Sequence, residues 1–495
     1  MKRKLRTIPF FVLLLPAFFV LHGYAANSEY FVFSHTLPLF GSLLLATCLV
    51  FLIFRILLKD ARKAGLMTLY CMSFFLFFGA VFDFIKAYSP WKFFYKYSVL
   101  CTGFLLTAII LFIRLRKIKT DPVRAVFFFN ILFALFILLD LCSLLMKQPW
   151  KRVNHSLSAT ATSNNNVRPD IFVLLFDEYA SSLSLKQHYH FDNSATDSFL
   201  VGQGFHLLPN SKSNYPNTVP SLASCLNMDY LPPVRTDRPV SREDVQRWSD
   251  MIRNNEVMAF LSKKGYEIRN HSFFDFKGHP APVSQRWFST DTKLITEETL
   301  LSRICVEFGW FIRQYEFLRK ILPVTSYKEQ EQNNDKCIAG VMKESQERSN
   351  TPRFVYGHFL IPHFPYYKDK NGNSRPDSIV NAVHLEQLPP LPYYLEYVQY
   401  ANIELRKIVS SIRRNNPDAI IIFMSDHGYR WHIRDLREVY YAQNAIYLPS
   451  GDYSKFYDSV THVNQFRVIF NTMFGDKFPL LKDSTVFLED DFGFH

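Results

Sequence analysis

Carboxylates, imidazoles and one hydroxyl group recur in four short segments of this 495-residue chain. These are the side chains that bind divalent metals and take part in group transfer. Three of the segments come at or near the end of an apolar run of strand length, and parallel strands present their carboxyl ends to one crevice. We therefore predict a metal-dependent phosphoryl-transfer site built from Asp177-Glu178, Asn217-Thr218, His358 to His363, and Ser425-Asp426-His427-Gly428.

The pair Asp426-His427 follows the apolar run 419–424 and is followed by Gly428. A carboxylate and an imidazole that are adjacent at a strand end can both reach one divalent ion if the backbone turns sharply, and a glycine permits such a turn. A capping aspartate beside a structural histidine is the alternative. Because the other segments point to the same crevice, we predict that both residues are metal ligands.

Asp177 follows the six-residue apolar run 171–176, so its carboxylate is expected at the carboxyl end of a buried strand. Glu178 would point the opposite way if the chain is still extended there. We therefore predict Asp177 as the metal ligand, with Glu178 behind it or at the surface. The alternative is that either acid caps the following helix.

Thr218 precedes a segment with Pro220 near its start and mainly small or apolar residues up to Asn227, which predicts a helix capped by Thr218. Partial positive charge at a helix N-terminus stabilises an alkoxide and the phosphate that it attacks. We predict that Thr218 is a nucleophile activated by a metal ion. From this segment alone, an ordinary N-cap threonine is the commoner case.

Two histidines, His358 and His363, follow the apolar run 354–357. Pro362 and Pro365 disfavour regular structure around His363, so this imidazole is expected on a stiff loop, within reach of a substrate oxygen or leaving group. His358 lies at or inside the strand. His358 either contacts the substrate or is a buried structural histidine, and the sequence does not distinguish these two roles.

Apolar residues make up 48% of the chain but cluster before residue 147, which indicates a membrane domain joined to a soluble domain. A cleaved signal peptide would explain only the first apolar stretch, because four more follow it. The five stretches that are long and apolar enough to span a bilayer cover about residues 7–26, 36–58, 65–87, 94–113 and 125–146.

Basic residues are divided unequally between the two sides of these spans. We count 13 Lys and Arg residues before the first span and in the turns after the second and fourth, and 6 on the other side. The positive-inside rule then places the N-terminus in the cytoplasm and everything after Met146 outside. We predict a multi-pass protein of the bacterial inner (cytoplasmic) membrane, with its soluble domain in the periplasm or on the extracellular side.

The polar stretch 154–167 has no aromatic side chain and is typical of a tether. Beyond it, strand-like runs alternate with helical patterns such as 394–414, which predicts a largely parallel sheet with helices on both faces. The charged stretch 290–350 predicts helices with a surface loop at 328–335. We expect three parts: a transmembrane domain (1–147), a linker (148–167) and an extracytoplasmic catalytic domain (168–495).

The net charge of +12 does not indicate nucleic-acid binding, because much of the excess sets topology and the soluble part has no basic run interleaved with aromatics. A lipid surface or an anionic substrate is the expected partner. Of the seven cysteines, Cys225, Cys305 and Cys337 lie outside the spans. A disulfide between Cys305 and Cys337 is compatible with an oxidising compartment, but the sequence does not decide whether it forms.

Over roughly residues 168–475, the order of motifs resembles the sulfatase-like branch of the alkaline phosphatase superfamily. The layout is similar to that of lipoteichoic acid synthases and lipid A phosphoethanolamine transferases, which also join about five spans to an extracytoplasmic domain. The resemblance implies an α-helical membrane domain followed by an α/β domain of the sulfatase and alkaline phosphatase type. The motifs that carry it are Asp177 to Ala180, Ser213 to Thr218 with Ser221 to Ser224, His358 with Pro362-His363, and Ser425 to Gly428.

The resemblance also implies roles for individual residues. Thr218 would be the nucleophile, with His363 as the second catalytic residue. Substrate contacts are expected from His358, His363 and Asn217. The implied metal ligands are Asp177, Thr218, Asp426 and His427.

True sulfatases carry the sequence Cys-x-Pro-x-Arg, in which the cysteine or a serine becomes formylglycine. Here Leu226-Asn227-Met228-Asp229 follows Cys225, without the proline or the arginine. Sulfate-ester hydrolysis is therefore disfavoured, and a threonine-based phosphotransferase is favoured. The mixed oxygen and nitrogen ligand set suits zinc or manganese.

The expected reaction moves the phosphoryl headgroup of a membrane phospholipid donor, phosphoethanolamine-like or phosphoglycerol-like, through a phosphothreonine at Thr218. The acceptor would be a lipid-linked glycan, a lipopolysaccharide or another cell-envelope lipid. Two alternatives remain open: an extracytoplasmic phosphoesterase or sulfatase-like hydrolase that uses water as acceptor, and a non-catalytic envelope scaffold. The sequence does not reveal the headgroup, the acceptor, the number of metal ions or the oligomeric state.

Overall fold

The computed structural model describes residues 8–27, 33–89, 91–146, 168–232, 240, 242–283, 292, 295–322, 327–431 and 435–488. The predicted linker at 148–167 lies outside these ranges. The chain divides into two compact units: residues 1–154 with 285–325, and residues 155–284 with 326–495. The two units are described separately below.

The first unit is built on apolar helices. Among the described residues, four helices are long and apolar enough to cross a membrane, and a fifth is shorter. They lie where the five spans were predicted, which confirms the helical membrane domain. The five helices are α1 (Phe11–Asn27, the shorter one), α2 (Leu37–Leu58), α3 (Ala61–Tyr88), α4 (Tyr97–Lys117) and α5 (Val123–Met146).

The turn between α2 and α3 shows how the sequence sets these boundaries. Lys59 adopts a left-handed conformation, with φ at 56°, and α2 ends there. The Asp60 carboxylate then accepts hydrogen bonds from the backbone amides of Arg62 and Lys63, at 2.8 and 3.0 Å, and so caps α3. The basic residues of this turn therefore lie at one end of both helices.

From residue 168 onward, strands and helices alternate along the chain. In order, the elements are β1 (Ile171–Phe176), α6 (Ser182–Tyr189), α7 (Ser194–Gly202), β2 (His206–Leu207), α8 (Thr218–Asn227), α9 (Arg242–Arg253), α10 (Glu256–Lys263), β3 (Glu267–His271), α11 (Leu300–Glu307), α12 (Gly309–Gln314), α13 (Glu316–Ile321), α14 (Tyr327–Gln346), β4 (Arg353–Phe359), α15 (Asp377–His384), α16 (Pro390–Asn415), β5 (Ile420–Met424), β6 (Asn444–Tyr447) and α17 (His462–Met473).

The six strands found among the described residues form one sheet in the order β2-β6-β5-β1-β4-β3. β1 pairs in parallel with both β4 and β5, and β3 pairs in parallel with β4. β6 runs antiparallel to β5, and β2 runs antiparallel to β6. The sheet is therefore largely parallel, as predicted.

β1 is apolar along its whole length because both faces of the sheet are covered. Alternate residues of the strand enter two separate hydrophobic cores. One core includes side chains of α8 and α17 and takes Ile171, Val173 and Leu175. The other includes side chains of α14 and α16 and takes Phe172, Leu174 and Phe176.

The helices α11, α12 and α13 lie between β3 and β4 in sequence but group with the first unit in the structure. The sequence alone placed them inside the domain 168–495. Ile295, just before them, is buried in the same hydrophobic cluster as Phe11 and Leu76 of α1 and α3. This packing of an apolar side chain among the spans accounts for the grouping.

One other local expectation differs from the structure, and one question that the sequence left open is answered. The surface loop predicted at 328–335 is wrong, because these residues form the first part of α14, where the buried Asn334, Cys337 and Ile338 recur at helical spacing. The thiols of Cys305 and Cys337 are both free, so the structure contains no disulfide between them.

Candidate metal and active site

The register of the sheet brings three of the predicted segments to one edge. Leu175 of β1 lies opposite His358 of β4 on one side and opposite Met424 of β5 on the other. Because the three strands are parallel, their carboxyl ends reach the same edge. Asp177 follows β1 directly, and Asp426 comes two residues after the end of β5.

Asp177, Asp426 and His427 form a compact, buried group at this edge. Each offers one ligand atom, and the three atoms lie within 4.8 Å of one another. The Nε2 atom of His427 is 3.3 Å from Oδ2 of Asp426 and 3.8 Å from Oδ1 of Asp177. The arrangement could hold one divalent cation.

Buried oxygen atoms without partners support a cation at this position. Oδ1 of Asp426 accepts hydrogen bonds from the backbone amides of Glu178 and His427, both at 3.0 Å. Among the described residues, the other oxygen of Asp426 and Oδ1 of Asp177 have no hydrogen-bond partner. Buried anionic oxygens are costly unless paired, so their chemistry fits a bound metal ion.

The ring of His427 is oriented for metal binding. Its Nδ1 donates a hydrogen bond to the carbonyl oxygen of Gly428 at 2.8 Å, which leaves the lone pair of Nε2 for a metal. Gly428 is needed here because a Cβ atom would lie 2.8 Å from the carbonyl oxygen of Tyr441 and 2.9 Å from that of Glu438. The backbone bends at Asp426 and His427, as expected, and Gly428 also allows a close approach of backbone segments.

Thr218 joins the group from the N-terminus of α8. Its hydroxyl oxygen is 3.3 Å from Nε2 of His427. Ser221, one turn later, donates a hydrogen bond to the carbonyl oxygen of Asp426 at 2.6 Å, which holds the start of α8 against the metal-binding group. The N-cap of α8 is Asn217, so the prediction that Thr218 itself caps the helix is wrong by one residue.

Glu178 lies inside the site beside Asp177, so of the two positions expected for it the one behind the metal ligand is found and the one at the surface is wrong. Its side chain is fully buried, and Oε1 accepts a hydrogen bond from the backbone amide of Arg430 at 3.0 Å. The extended chain ends at this residue, where φ is 62°, and the alternation of side chains that governs a strand no longer applies. Oε2 is 3.8 Å from Nε2 of His363.

His358 is buried behind Asp177. Its Nε2 atom is 3.2 Å from Oδ2 of Asp177, and its ring packs against the ring of Phe274 at 5.5 Å between centroids. Of the two alternatives left open by the sequence, this geometry favours a histidine that orients a carboxylate.

Arg430 was not singled out in the sequence, yet it joins three of the predicted segments. Its guanidinium group lies 2.5 Å from Oδ1 of Asn217 and 3.3 Å from Nε2 of His363. One more nitrogen, Nε, is 3.7 Å from Oε1 of Glu178. The signal that could have revealed it is its position four residues after Asp426, on the same strand-end loop.

The charges of the site shift the pKa values of its acids and bases. Burial acts to raise the pKa of Asp177, but nearby His363 and the hydrogen bond to His358 outweigh burial and hold that pKa below its ordinary value. Burial acts to lower the pKa of His363, but the charges of Asp177 and Glu178 raise it above its ordinary value. His363 is therefore suited to carry a proton near neutral pH.

The comparisons with known proteins place these residues in context. The sulfatase family model matches residues 170–468, which is more than half of the chain. A search of the curated proteins found no match. The matched region contains the four predicted site segments and Arg430.

Three solved structures are similar at low identity. The C-terminal periplasmic domain of EcEptC from Escherichia coli, in complex with Zn, is 11% identical with a TM-score of 0.42, covering 66% of this chain and 91% of that one. The integral membrane protein lipooligosaccharide phosphoethanolamine transferase A (EptA) from Neisseria meningitidis is 11% identical with a TM-score of 0.40, covering 94% and 96%. The phosphonate monoester hydrolase of Agrobacterium radiobacter is 14% identical with a TM-score of 0.38, covering 63% and 74%. By the extent of the family match, this chain belongs to the sulfatase family of enzymes.

Proposed function

We propose that this enzyme is a metal-dependent phosphotransferase that moves a phospholipid-derived phosphoryl headgroup to a cell-envelope glycan or lipid through a phosphothreonine at Thr218. The observation that carries the proposal is the position of the Thr218 hydroxyl, at the N-terminus of α8 and 3.3 Å from Nε2 of His427. A hydroxyl placed beside a buried Asp-Asp-His group can act as an activated nucleophile. The missing Cys-x-Pro-x-Arg sequence further supports threonine over formylglycine chemistry.

In this proposal the cation is zinc or manganese, held by Asp177, Asp426 and His427 together with the Thr218 oxygen. When bound, it supplies positive charge that lowers the pKa of a hydroxyl group and polarises phosphoryl oxygens. Thr218 attacks phosphorus after its hydroxyl proton has passed to solvent, the bond from its Oγ1 to phosphorus forms, and the bond to the diacylglycerol oxygen breaks. The partial positive charge at the start of α8 stabilises the developing negative charge.

His363 and Arg430 act on the other side of the phosphorus. A protonated His363 donates its proton to the departing diacylglycerol oxygen, consistent with its raised pKa. The Arg430 guanidinium, which Asn217 and Glu178 orient, binds the non-bridging phosphoryl oxygens. In the second half of the reaction, the now neutral His363 accepts the proton of an acceptor hydroxyl, the acceptor oxygen attacks phosphorus, and the bond to Thr218 breaks.

Labelled headgroups test this reaction directly. Membranes that contain the protein receive phosphatidylethanolamine or phosphatidylglycerol labelled in the headgroup, and the label is then followed into lipid, glycan and water-soluble fractions. We expect label in a glycan or lipid acceptor. Label released only as a free headgroup phosphate would identify a phosphoesterase, and label that moves no faster than with Thr218→Ala would identify a scaffold.

Arg430→Lys should lower kcat/KM for headgroup transfer by about 10²-fold. A lysine keeps the charge but cannot contact Asn217, His363 and a phosphoryl oxygen together, as the planar guanidinium can. The matched control is Arg437→Lys, an exposed arginine on the same part of the chain that pairs with Asp435. Equal losses in both variants, or no loss in Arg430→Lys, would remove Arg430 from the site.

The topology predicted from the charge distribution places the catalytic domain outside the cytoplasm, where an outer-leaflet donor would be available. A reporter that is active only in an oxidising compartment should work when fused after His495 and should be silent when fused within Lys59–Lys63. A cytoplasmic C-terminal fusion would mean that a predicted span does not cross. It would also deprive the proposed transferase of its donor and favour an intracellular phosphatase.

A further inference from the structure

Residues 295–322, which we call the insert, are fixed to the end of α3. The guanidinium of Arg303 makes two contacts with the Asp83 carboxylate, at 2.5 and 3.2 Å, and is itself largely buried. The backbone amide of Gly79 donates a hydrogen bond to the carbonyl oxygen of Glu298 at 2.8 Å. Both contacts lie near the end of α3 that is distant from its basic start at residues 62 and 63.

The insert also contacts two other apolar helices. A Cβ atom at Gly23 of α1 would lie 2.8 Å from the side chain of Ile295, so these two segments pack closely. The ring of Phe308 packs edge-on against Tyr97, the first residue of α4, at 6.1 Å between centroids. The contacts with α3 and α4 involve the ends of these helices that the short connection 89–96 joins, and Gly23 lies near the C-terminal end of α1. The insert therefore lies at one face of the predicted membrane domain.

At that face the insert exposes large apolar side chains instead of burying them. Their exposed fractions run from 41% to 70%, in Phe308, Phe311, Tyr315, Phe317 and Ile321. The end of α3 and its connection to α4 carry a similar group, 50% to 76% exposed, in Tyr88, Trp91, Phe93 and Phe94. Exposed aromatic side chains at the ends of spans are typical of the layer between lipid tails and headgroups.

We propose that the insert is a second membrane anchor, whose exposed rings lie in the interfacial layer of the bilayer that the spans cross. Lipid is the occupant that fits, because the rings continue the aromatic group at the ends of α3 and α4. The insert lies between β3 and β4 in sequence. The anchor would therefore tie the catalytic domain to the membrane through the segment after β3 and the segment before β4, in addition to the linker. The proposal does not depend on the reaction that the enzyme catalyses.

A cleavable linker tests the anchor in the full-length chain. A protease site is placed within 154–167, the protein is reconstituted in phosphatidylcholine and phosphatidylethanolamine vesicles, and the vesicles are sedimented after cleavage. We expect the C-terminal fragment to remain with the vesicles. Replacing Phe311, Tyr315, Phe317 and Ile321 with serine should increase its release by about tenfold or more, because four exposed apolar side chains proposed to contact lipid are lost.

The control variant changes exposed apolar residues of the catalytic unit, Val201→Ser with Leu436→Ser, and should release no more fragment than the parent. Release of the parent fragment on cleavage, or retention of the four-serine fragment, would overturn the proposal. If the fragment is retained only when a vesicle holds more than one protein, a second copy of the chain and not lipid covers the insert. That result would also overturn the proposal.

A spectroscopic measurement keeps the test independent of fragment stability. Phe317→Trp in the intact protein should gain fluorescence that phospholipids brominated near the headgroup quench, whereas Val201→Trp should not be quenched above the parent level. Both positions are exposed, so neither substitution enters a core. Equal quenching at the two positions would also contradict an interfacial insert.

Discussion

Thr218→Ala should abolish headgroup transfer, with a loss of at least about 10³-fold in kcat, because the attacking oxygen is removed. The fold should remain, since Thr218 is only partly buried and the start of α8 is also held by the hydrogen bond from Ser221 to Asp426. The measurement is transfer of a labelled headgroup in membranes, together with the thermal unfolding of the purified variant.

Two companion variants separate the nucleophile from a metal contact. Thr218→Ser keeps a hydroxyl in place and should recover part of the activity, whereas the nearly isosteric Thr218→Val should remain inactive. Rapid quenching of the parent enzyme with donor should trap a phosphate on residue 218. Activity close to that of the parent in Thr218→Val would exclude the phosphothreonine.

Asp426→Asn and His427→Ala should each reduce bound metal from about one ion per chain to a small fraction of that, with activity lost in parallel. The Asn substitution is informative because its side-chain oxygen can still accept from the amides of Glu178 and His427. The change is thus confined to the second oxygen, which has no partner among the described residues. Metal content by mass spectrometry and transfer activity are the two readouts.

Glu178→Gln provides the contrast. Because Asp177 belongs to the compact metal-binding group and Glu178 lies beside it, against Arg430 and His363, this variant should retain metal while losing activity. Asp177→Asn should lose both. The reverse pattern, with metal lost in Glu178→Gln and kept in Asp177→Asn, would move the first carboxylate ligand one residue along the chain.

The strand ends could be predicted from sequence because the apolar runs before Asp177 and Asp426 are long enough to be buried on both faces. A parallel sheet then brings those ends together whatever the rest of the chain does. The helix at Thr218 could likewise be predicted from a proline in its first turn.

Glu178, Arg430 and the insert could not be placed in the same way. In an extended strand, successive side chains point to opposite faces, and the sequence prediction for Glu178 depends on that alternation. The positive φ of Glu178 ends the extended backbone at this residue, so the alternation does not apply to it. Arg430 lies on an irregular loop, and its contacts with Asn217 and His363 depend on three segments distant in sequence. The insert has helical patterns like those of a soluble domain, and only its packing reveals which unit it joins.

The position of β1 at the middle of the sheet has a consequence for biogenesis. β1 is the first strand to be synthesised, but its two neighbours begin only at Arg353 and Ile420. Until β4 and β5 have been synthesised, β1 is an apolar strand with two unpaired edges and is prone to aggregate. Nascent chains in this state depend on chaperones. A chain that stalls or terminates before β5 would expose this strand and lack Asp426 and His427, so early termination should yield protein that is degraded instead of partly active.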